Sequence, residues 1–363
     1  MLYDYNNTFI NPDEIKNVLK QLNKNKVCVI GDILLDKYTY MDYLKIAHES
    51  PSFVYKVLEE KLYLGGAGNI VNNLINLNIE TNLLSVLGSD QKSKPIVEIL
   101  NRFSKTKNKQ YLKHELLFDK SRTPLLRQRF LEQFGKQVMR IDSGDEHKIS
   151  NYFENNIIEE LNTYKDLTNI IIQDRNKGVV TQNIIDGIYE YKKKINNKVL
   201  ITYDPDPRNK LNFKNKVDII LPNKREAFKL ANIDYDQNDT YTNLEDEKFR
   251  NVGKIIYDKY NIEKIFITLG SEGIAYFKNG ILILICKTVN QPEILLSGLG
   301  DTIDVVISTL LLNEKLNVST ICVLANLAAT CILKNYTKKS TNRLELLKEY
   351  TKYYKEFNFN ENQ

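Results

Sequence analysis

From about residue 150 to 270 the chain alternates short apolar runs with amphipathic stretches of helix length, and few folds accommodate that alternation. Helical periodicity over 151–165 gives way to an apolar run, Asn169–Gln173. A helical stretch at 181–194 is followed by an apolar run at 199–203. Next come 218–221, a helix from 224, a helix near 246–259, and an apolar run at 264–269. Apolar runs this short, separated by helices, read as buried strands of a mostly parallel, doubly wound sheet flanked by helices. Such sheets bind ligands beyond the carboxyl ends of their strands. The residues to inspect are therefore Asp174, Asp204, Asn223 and Gly270, with Asp32 after the N-terminal run at 27–30.

The first half carries a different signal. Segments 38–41, 53–64, 111–119 and 124–141 are rich in aromatic and β-branched residues with partial alternation, which predicts strands of a smaller sheet. The last of them predicts a hairpin turning near Phe134 and Gly135. We expect one domain over 1–345, with a β-lid formed by roughly 36–64 and 111–142, and a polar tail over 346–363 that packs one helix and then frays.

Composition excludes several classes. The formal net charge is +5, but charges of both signs are interspersed and no basic block stands out, so nucleic acid is not an expected partner. The 192–194 lysines fall on a predicted helix and read as a solvated face. The four cysteines form no C-x-x-C pair, and Cys28, Cys286 and Cys322 lie in apolar runs, where buried thiols are expected. The three histidines show no metal-site spacing. The N-terminus lacks the order of a signal peptide, and no apolar run approaches the ~20 residues needed to span a bilayer. No membrane partner is expected, and the expected location is cytoplasmic. The abundance of Asn, Lys and Ile reads as nucleotide bias rather than function.

Three constellations could carry chemistry. Leu64-Gly65-Gly66-Ala67-Gly68-Asn69 opens a predicted helix at 69–78. Its glycines admit close backbone approach, and Asn69 can bond hydroxyls; a tight turn explains it equally well. Ser297-Gly298-Leu299-Gly300-Asp301-Thr302 precedes an apolar helix. Its amides can hold a phosphoryl group while Asp301 takes a proton, although by spacing alone Asp301 reads more simply as a helix cap. In Pro222-Asn223-Lys224-Arg225-Glu226, Asn223 and Glu226 can organise a hydrated Mg2+ or merely start a helix. There is no G-x-x-x-x-G-K-[ST], no strand–G-x-G-x-x-G–helix unit and no G-x-S-x-G elbow.

Taken in order, strand–Gly-Asp, GGAGN, PN-x-x-E and G-x-GD before a helix resemble the ribokinase (PfkB-type) family of carbohydrate kinases, from about residue 25 to 335. Within it, Gly31, Asp32, Asp36, Tyr38, Tyr40, Glu49, Pro51 and Lys56-Val57 resemble the opening of D-glycero-β-D-manno-heptose 7-phosphate kinases. Arg127 with Gln137, Arg140 and Asp142, Asp174 with Lys177-Gly178, Asp204-Pro205 and the 325–329 stretch match further. The length resembles a stand-alone kinase without the nucleotidyltransferase domain of bifunctional members.

The resemblance implies a ribokinase-like fold and ATP-dependent phosphorylation of a heptose 7-phosphate at its anomeric hydroxyl, on the route to ADP-heptose. Asp301 would be the base, with Gly298 and Gly300 in the anion hole. Asp36, Gly65, Gly66, Asn69 and Asp174 would line the sugar site. Asn223, Glu226, Thr268, Gly270 and Asn326 would lie at the nucleotide, and Asn223 and Glu226 would support Mg2+ through water. A homodimer through the β-lid is implied as well. The sequence departs from the pattern at four places, one of them the Gly-Thr expected near 335–340, which is blurred in KNYTKKST. Leu299 replaces a small residue, Arg175 stands where an aromatic is usual, and Asp206 replaces the lysine of Asp-Pro-Lys, with Arg208 or Lys210 nearby to compensate. A kinase for another phosphosugar or nucleoside, or a catalytically weakened binding paralogue, remains open on these residues.

Overall fold

The computed structural model describes residues 10–361 except 90, 106–110, 133–135, 197, 237–239, 242, 289–297 and 335–338. Its centre is a nine-stranded sheet ordered β13-β12-β11-β10-β9-β8-β1-β4-β5. The strands are β1 (Lys26–Gly31), β4 (Glu80–Gly88), β5 (Leu112–Asp119), β8 (Asn169–Gln173), β9 (Leu200–Asp204), β10 (Ile219–Ile220), β11 (Lys264–Thr268), β12 (Ile274–Lys278) and β13 (Ile281–Cys286). From β11 to β5 neighbouring strands run parallel; β12 and β13 add an antiparallel edge.

Strand periodicity divides the core into two layers. In β1, Val27 and Val29 point into one layer, Cys28 and Ile30 into the other. The first layer is closed by α1 (Pro12–Gln21), α2 (Ala67–Asn76), α3 (Lys94–Lys105), α8 (Leu299–Leu310), α9 (Val318–Leu333) and α10 (Arg343–Glu361). The second is closed by α4 (Asn151–Thr163), α5 (Gln182–Lys194), α6 (Lys224–Ala231) and α7 (Glu247–Tyr260). Each fully buried aliphatic side chain contributes about 1.5–3 kcal/mol, which makes these two layers the main source of stability. Cys28, Cys286 and Cys322 are buried as expected. Among the described residues no helix is long and apolar enough to cross a membrane.

A separate four-stranded sheet contains β2 (Ile33–Ile46), β3 (Phe53–Gly66), β6 (Leu125–Leu131) and β7 (Gln137–Ser143), in the order β3-β2-β6-β7. The hairpin expected over 124–141 is present as the antiparallel β6–β7 pair; the turn at Phe134 and Gly135 lies outside the described residues.

Two boundaries differ from expectation. Residues 111–119 do not join the small sheet. As β5 they extend the large one, because β4 offers an open parallel edge and Leu116 and Leu117 pack against opposite core layers. The helix expected to pack in the tail is present as α10 but begins at Arg343, ahead of 346; its Leu346 and Tyr350 are buried, and the Tyr350 hydroxyl donates to the Ile10 carbonyl at 2.7 Å.

The chain also takes left-handed backbone at seven non-glycine positions among the described residues, and all seven are asparagines. Asn232 and Asn261, which end α6 and α7, are two of them.

Candidate active site

Beyond the carboxyl ends of β8–β11, and facing the small sheet, lies a cavity of about 270 Å3. That is close to the lower end of small-molecule pockets, roughly 300–1,000 Å3. Asp36, Gly65, Gly66, Asn69, Asn223, Glu226, Thr268, Gly298, Gly300 and Asp301 all line it. Sequence positions more than 200 residues apart are thus brought to one place, as the direct bond from Asn69 to Asp301 shows.

Asp301 stands in the first turn of α8. Gly298 caps that helix with φ 93 and contributes no side chain; a Cβ there would sit 2.7 Å from Asn69 Nδ2. The first amides of a helix have no partner within it, and among the described residues no side chain caps them. Asp301 itself does not turn back to do so. Its Oδ2 accepts from Asn69 Nδ2 at 2.7 Å, and its Oδ1 accepts from Arg175 Nη2 at 2.7 Å and, more weakly, from Gln173 Nε2 at 3.5 Å. The simple cap reading is therefore excluded by geometry. Leu299, at the helix start, packs against the first core layer and does not line the cavity.

Asp204 and Asp304 join Asp301 to place three carboxylate oxygens within 4.8 Å of one another. Both Asp304 oxygens are buried without a donor among the described residues. Burial raises the Asp304 carboxyl well above its usual range, with Asp204 and Asp301 adding to the effect. Asp204 is likewise raised by burial, although Arg175 opposes this. Burial also pushes Glu226 up to about 7, with Asp204 the next cause. An all-oxygen, strongly acidic set of this kind fits a hard divalent cation such as Mg2+.

Asn223 and Glu226 form a reciprocal capping box: Glu226 N–H donates to Asn223 Oδ1 at 3.0 Å, and Asn223 N–H to Glu226 Oε2 at 2.9 Å. The helix-start reading of this motif is thus correct, and the pair still faces the cavity. At the other end, Asp36 lies under Gly65, where a Cβ would come within 2.6 Å of Asp36 Oδ2. Arg127 and Lys339 line the cavity near it.

Three expected site residues lie apart from the cavity lining. Asp174 is buried and bound by the protein itself: its Oδ2 accepts from Tyr203 Oη at 2.8 Å and Asn209 Nδ2 at 3.0 Å, its Oδ1 from Asn176 N–H at 2.7 Å. Its neighbour Arg175 enters the cavity instead. Gly270 begins a short turn beyond β11. Asn326 ties α9 to the end of β13 through the Cys286 carbonyl at 3.1 Å. Arg175, Asp304, Arg127 and Lys339 were given no site role from the sequence, and Asp204 was marked for inspection without one. Arg175 and Asp204 had a usable signal, since each follows or ends a strand of the parallel sheet; Asp304 and Lys339 had none.

Relatives and solved structures agree with this fold. The bifunctional protein HldE of Campylobacter jejuni is 30% identical over 85% of this chain and 61% of its own length. HldE of Aliarcobacter butzleri is 31% identical over 90% of this chain and 64% of its own. The chain therefore spans less than two thirds of these relatives. It superimposes on ribokinase from Giardia lamblia with a TM-score of 0.65 at 15% identity, covering 89% of this chain and 98% of that one. Phosphofructokinase-2 from Escherichia coli gives 0.67 at 13% identity, covering 90% and 98%. No protein-family model matches the chain. The likeness to these solved structures shows a ribokinase-like fold. The departure at Arg175 falls inside the cavity at the strand ends.

Proposed function

We propose that this kinase transfers the γ-phosphoryl group of ATP to the anomeric hydroxyl of an already phosphorylated sugar, with D-glycero-β-D-manno-heptose 7-phosphate as the first acceptor to test. The observation that carries the reading is Asp301: a buried carboxylate beside uncapped helix amides, held from outside its own helix. In this reading Asp301 takes the acceptor hydroxyl proton, and the α8 amides around Gly298 and Gly300 receive the phosphoryl oxygens. Asp36 Oδ1 and Asn69 Oδ1 are buried without donors, which suits them to sugar hydroxyls. Arg127 and Lys339 give the acceptor end cationic partners for a sugar phosphate. Thr268 contributes on the nucleotide side, with Gly270 and Asn326 supporting the adjoining loop and strand.

Mg2+ would be held by Asp204 and Asp304 and, through water, by Asn223 and Glu226, and would neutralise phosphate charge. The small sheet acts as a lid over the acceptor, excluding water. Its β2, β3 and β7 expose Ile46, Phe53, Val57, Leu58, Met139 and Ile141, an apolar surface that suits a second copy of the chain. Sedimentation should find a dimer that V57D converts to monomer; a wild-type monomer at high concentration would refute the pairing.

The test of function is ADP release from Mg-ATP with the heptose 7-phosphate, sedoheptulose 7-phosphate, fructose 6-phosphate and ribose, with Asp301→Asn as control. Turnover of the heptose phosphate above the rest supports the full reading. Turnover of another sugar alone refutes that acceptor, and turnover of none counts against the kinase.

A further inference from the structure

A positive charge is missing from the loop after β9, where Asp206 replaces a lysine. Arg208 neutralises that aspartate, with Nε donating to Oδ1 at 2.9 Å, and neither residue lines the cavity. The cation at the reaction centre is Arg175, on the loop after the neighbouring strand β8. Its root is fixed by Asp32. That carboxylate accepts the backbone N–H of Arg175 at 3.0 Å, of Lys177 at 3.0 Å and of Val179 at 2.9 Å.

The guanidinium is only partly committed. Nη2 donates to Asp301 Oδ1 at 2.7 Å and pairs with Asp204 Oδ2 at 3.2 Å. A guanidinium carries five N–H donors in a planar fork suited to phosphate. Nε and Nη1 make no hydrogen bond with the described residues, and the side chain lines the cavity together with Gly298 and Gly300. Burial opposes its charge, but Asp204 and Asp301, with Glu226 and Asp304, outweigh that effect and keep it cationic.

We propose that Arg175 is a catalytic residue of this phosphoryl transfer, anchoring Asp301 through Nη2 while its free edge binds the transferred phosphoryl group. This rests on the kinase reading above. The acceptor oxygen forms its bond to the γ-phosphorus as the bond to the β–γ bridging oxygen breaks. ADP leaves with that electron pair, and the hydroxyl proton passes to Asp301 at Oδ2, where Asn69 is the single donor among the described residues. Arg175 stays protonated throughout. Carboxylates this close repel an incoming phosphoryl group to the extent that they are ionised. Arg175 offsets that repulsion where the phosphoryl group arrives.

The test compares wild type with Arg175→Gln, Arg175→Lys and Arg175→Ala in the full chain. Calorimetry measures Mg-ADP and the β,γ-imido analogue of Mg-ATP, a readout independent of the acceptor. Arg175→Gln should weaken the imido analogue by at least about tenfold while leaving Mg-ADP within about twofold. In the turnover assay kcat should fall by about 100-fold or more, with Arg175→Lys recovering part of it. Added guanidinium should restore part of the Arg175→Ala rate, which a merely structural role would not allow. Equal weakening of both nucleotides, unchanged affinity for both, or absence of rescue overturns the proposal. Wild type that binds neither nucleotide removes the kinase reading and this proposal with it; wild type that binds both, with a variant that behaves identically, removes this proposal alone.

Discussion

At the start of a helix an aspartate ordinarily bonds back to its own amides. Asp301 is prevented from doing so because Asn69 and Arg175 take its two oxygens from opposite sides. Asp301→Asn would set an amide nitrogen against at least one of these donors and remove the proton acceptor. We expect kcat to fall by about 10²–10⁴-fold, with the circular dichroism spectrum unchanged; near-wild-type turnover would refute Asp301 as the base. Gly298, Gly300 and Asp301 were legible in the sequence because they are local to one helix start. Arg175 was legible only as a departure from a pattern, since its partner lies 126 positions away. Asp174 is the complementary case, lying outside the cavity lining. It has the right position after a strand, but Tyr203 and Asn209, invisible to local pattern, use up its carboxylate.

The loop from β8 to α5 shows how one element can be organised by a residue of another. Asp32 follows β1 and receives three backbone N–H groups from this loop. An asparagine there keeps one oxygen and presents N–H groups to a donor. Asp32→Asn should therefore cost about 1–3 kcal/mol in chemical denaturation and lower kcat as well, because Arg175 loses its anchor. Loss of neither would show that the loop holds itself. At this scale the parallel strands were readable because both faces of the sheet are covered, which gives continuous apolar runs. β5 was not, because alternation identifies a strand without naming the strand it pairs with. The start of α10 was obscured by its polar face, although Leu346 and Tyr350 bury the other.

For the molecule as a whole, buried carboxylates link stability to pH. Burial pushes Asp174 up to about 7, with Asp32 adding to it, and Glu226 up to about 7, with Asp204 adding to it. Unfolded carboxyls titrate near ~4. The contribution of a group raised on folding is fully present below its unfolded value and is lost as pH rises through the folded one. Tm of the ligand-free protein should thus fall between about pH 4 and 7, and Asp174→Asn should flatten that slope. A Tm that rises over this range would contradict the assignment.

The left-handed asparagines have a further consequence. Glycine makes up only 15 of 363 residues, about 4% against the usual ~7%. Yet the chain still reverses direction at Asn78, Asn176, Asn196, Asn215, Asn232, Asn261 and Asn279. Asparagine is the side chain that this backbone region tolerates best after glycine. The fold thus lets a drifting composition trade one hinge material for another. Asn232→Ala should cost about 1 kcal/mol, whereas Asn232→Gly should change stability by less, because relief of strain is set against a freer unfolded chain. A sequence so poor in glycine keeps its sharp corners by having stiffened them.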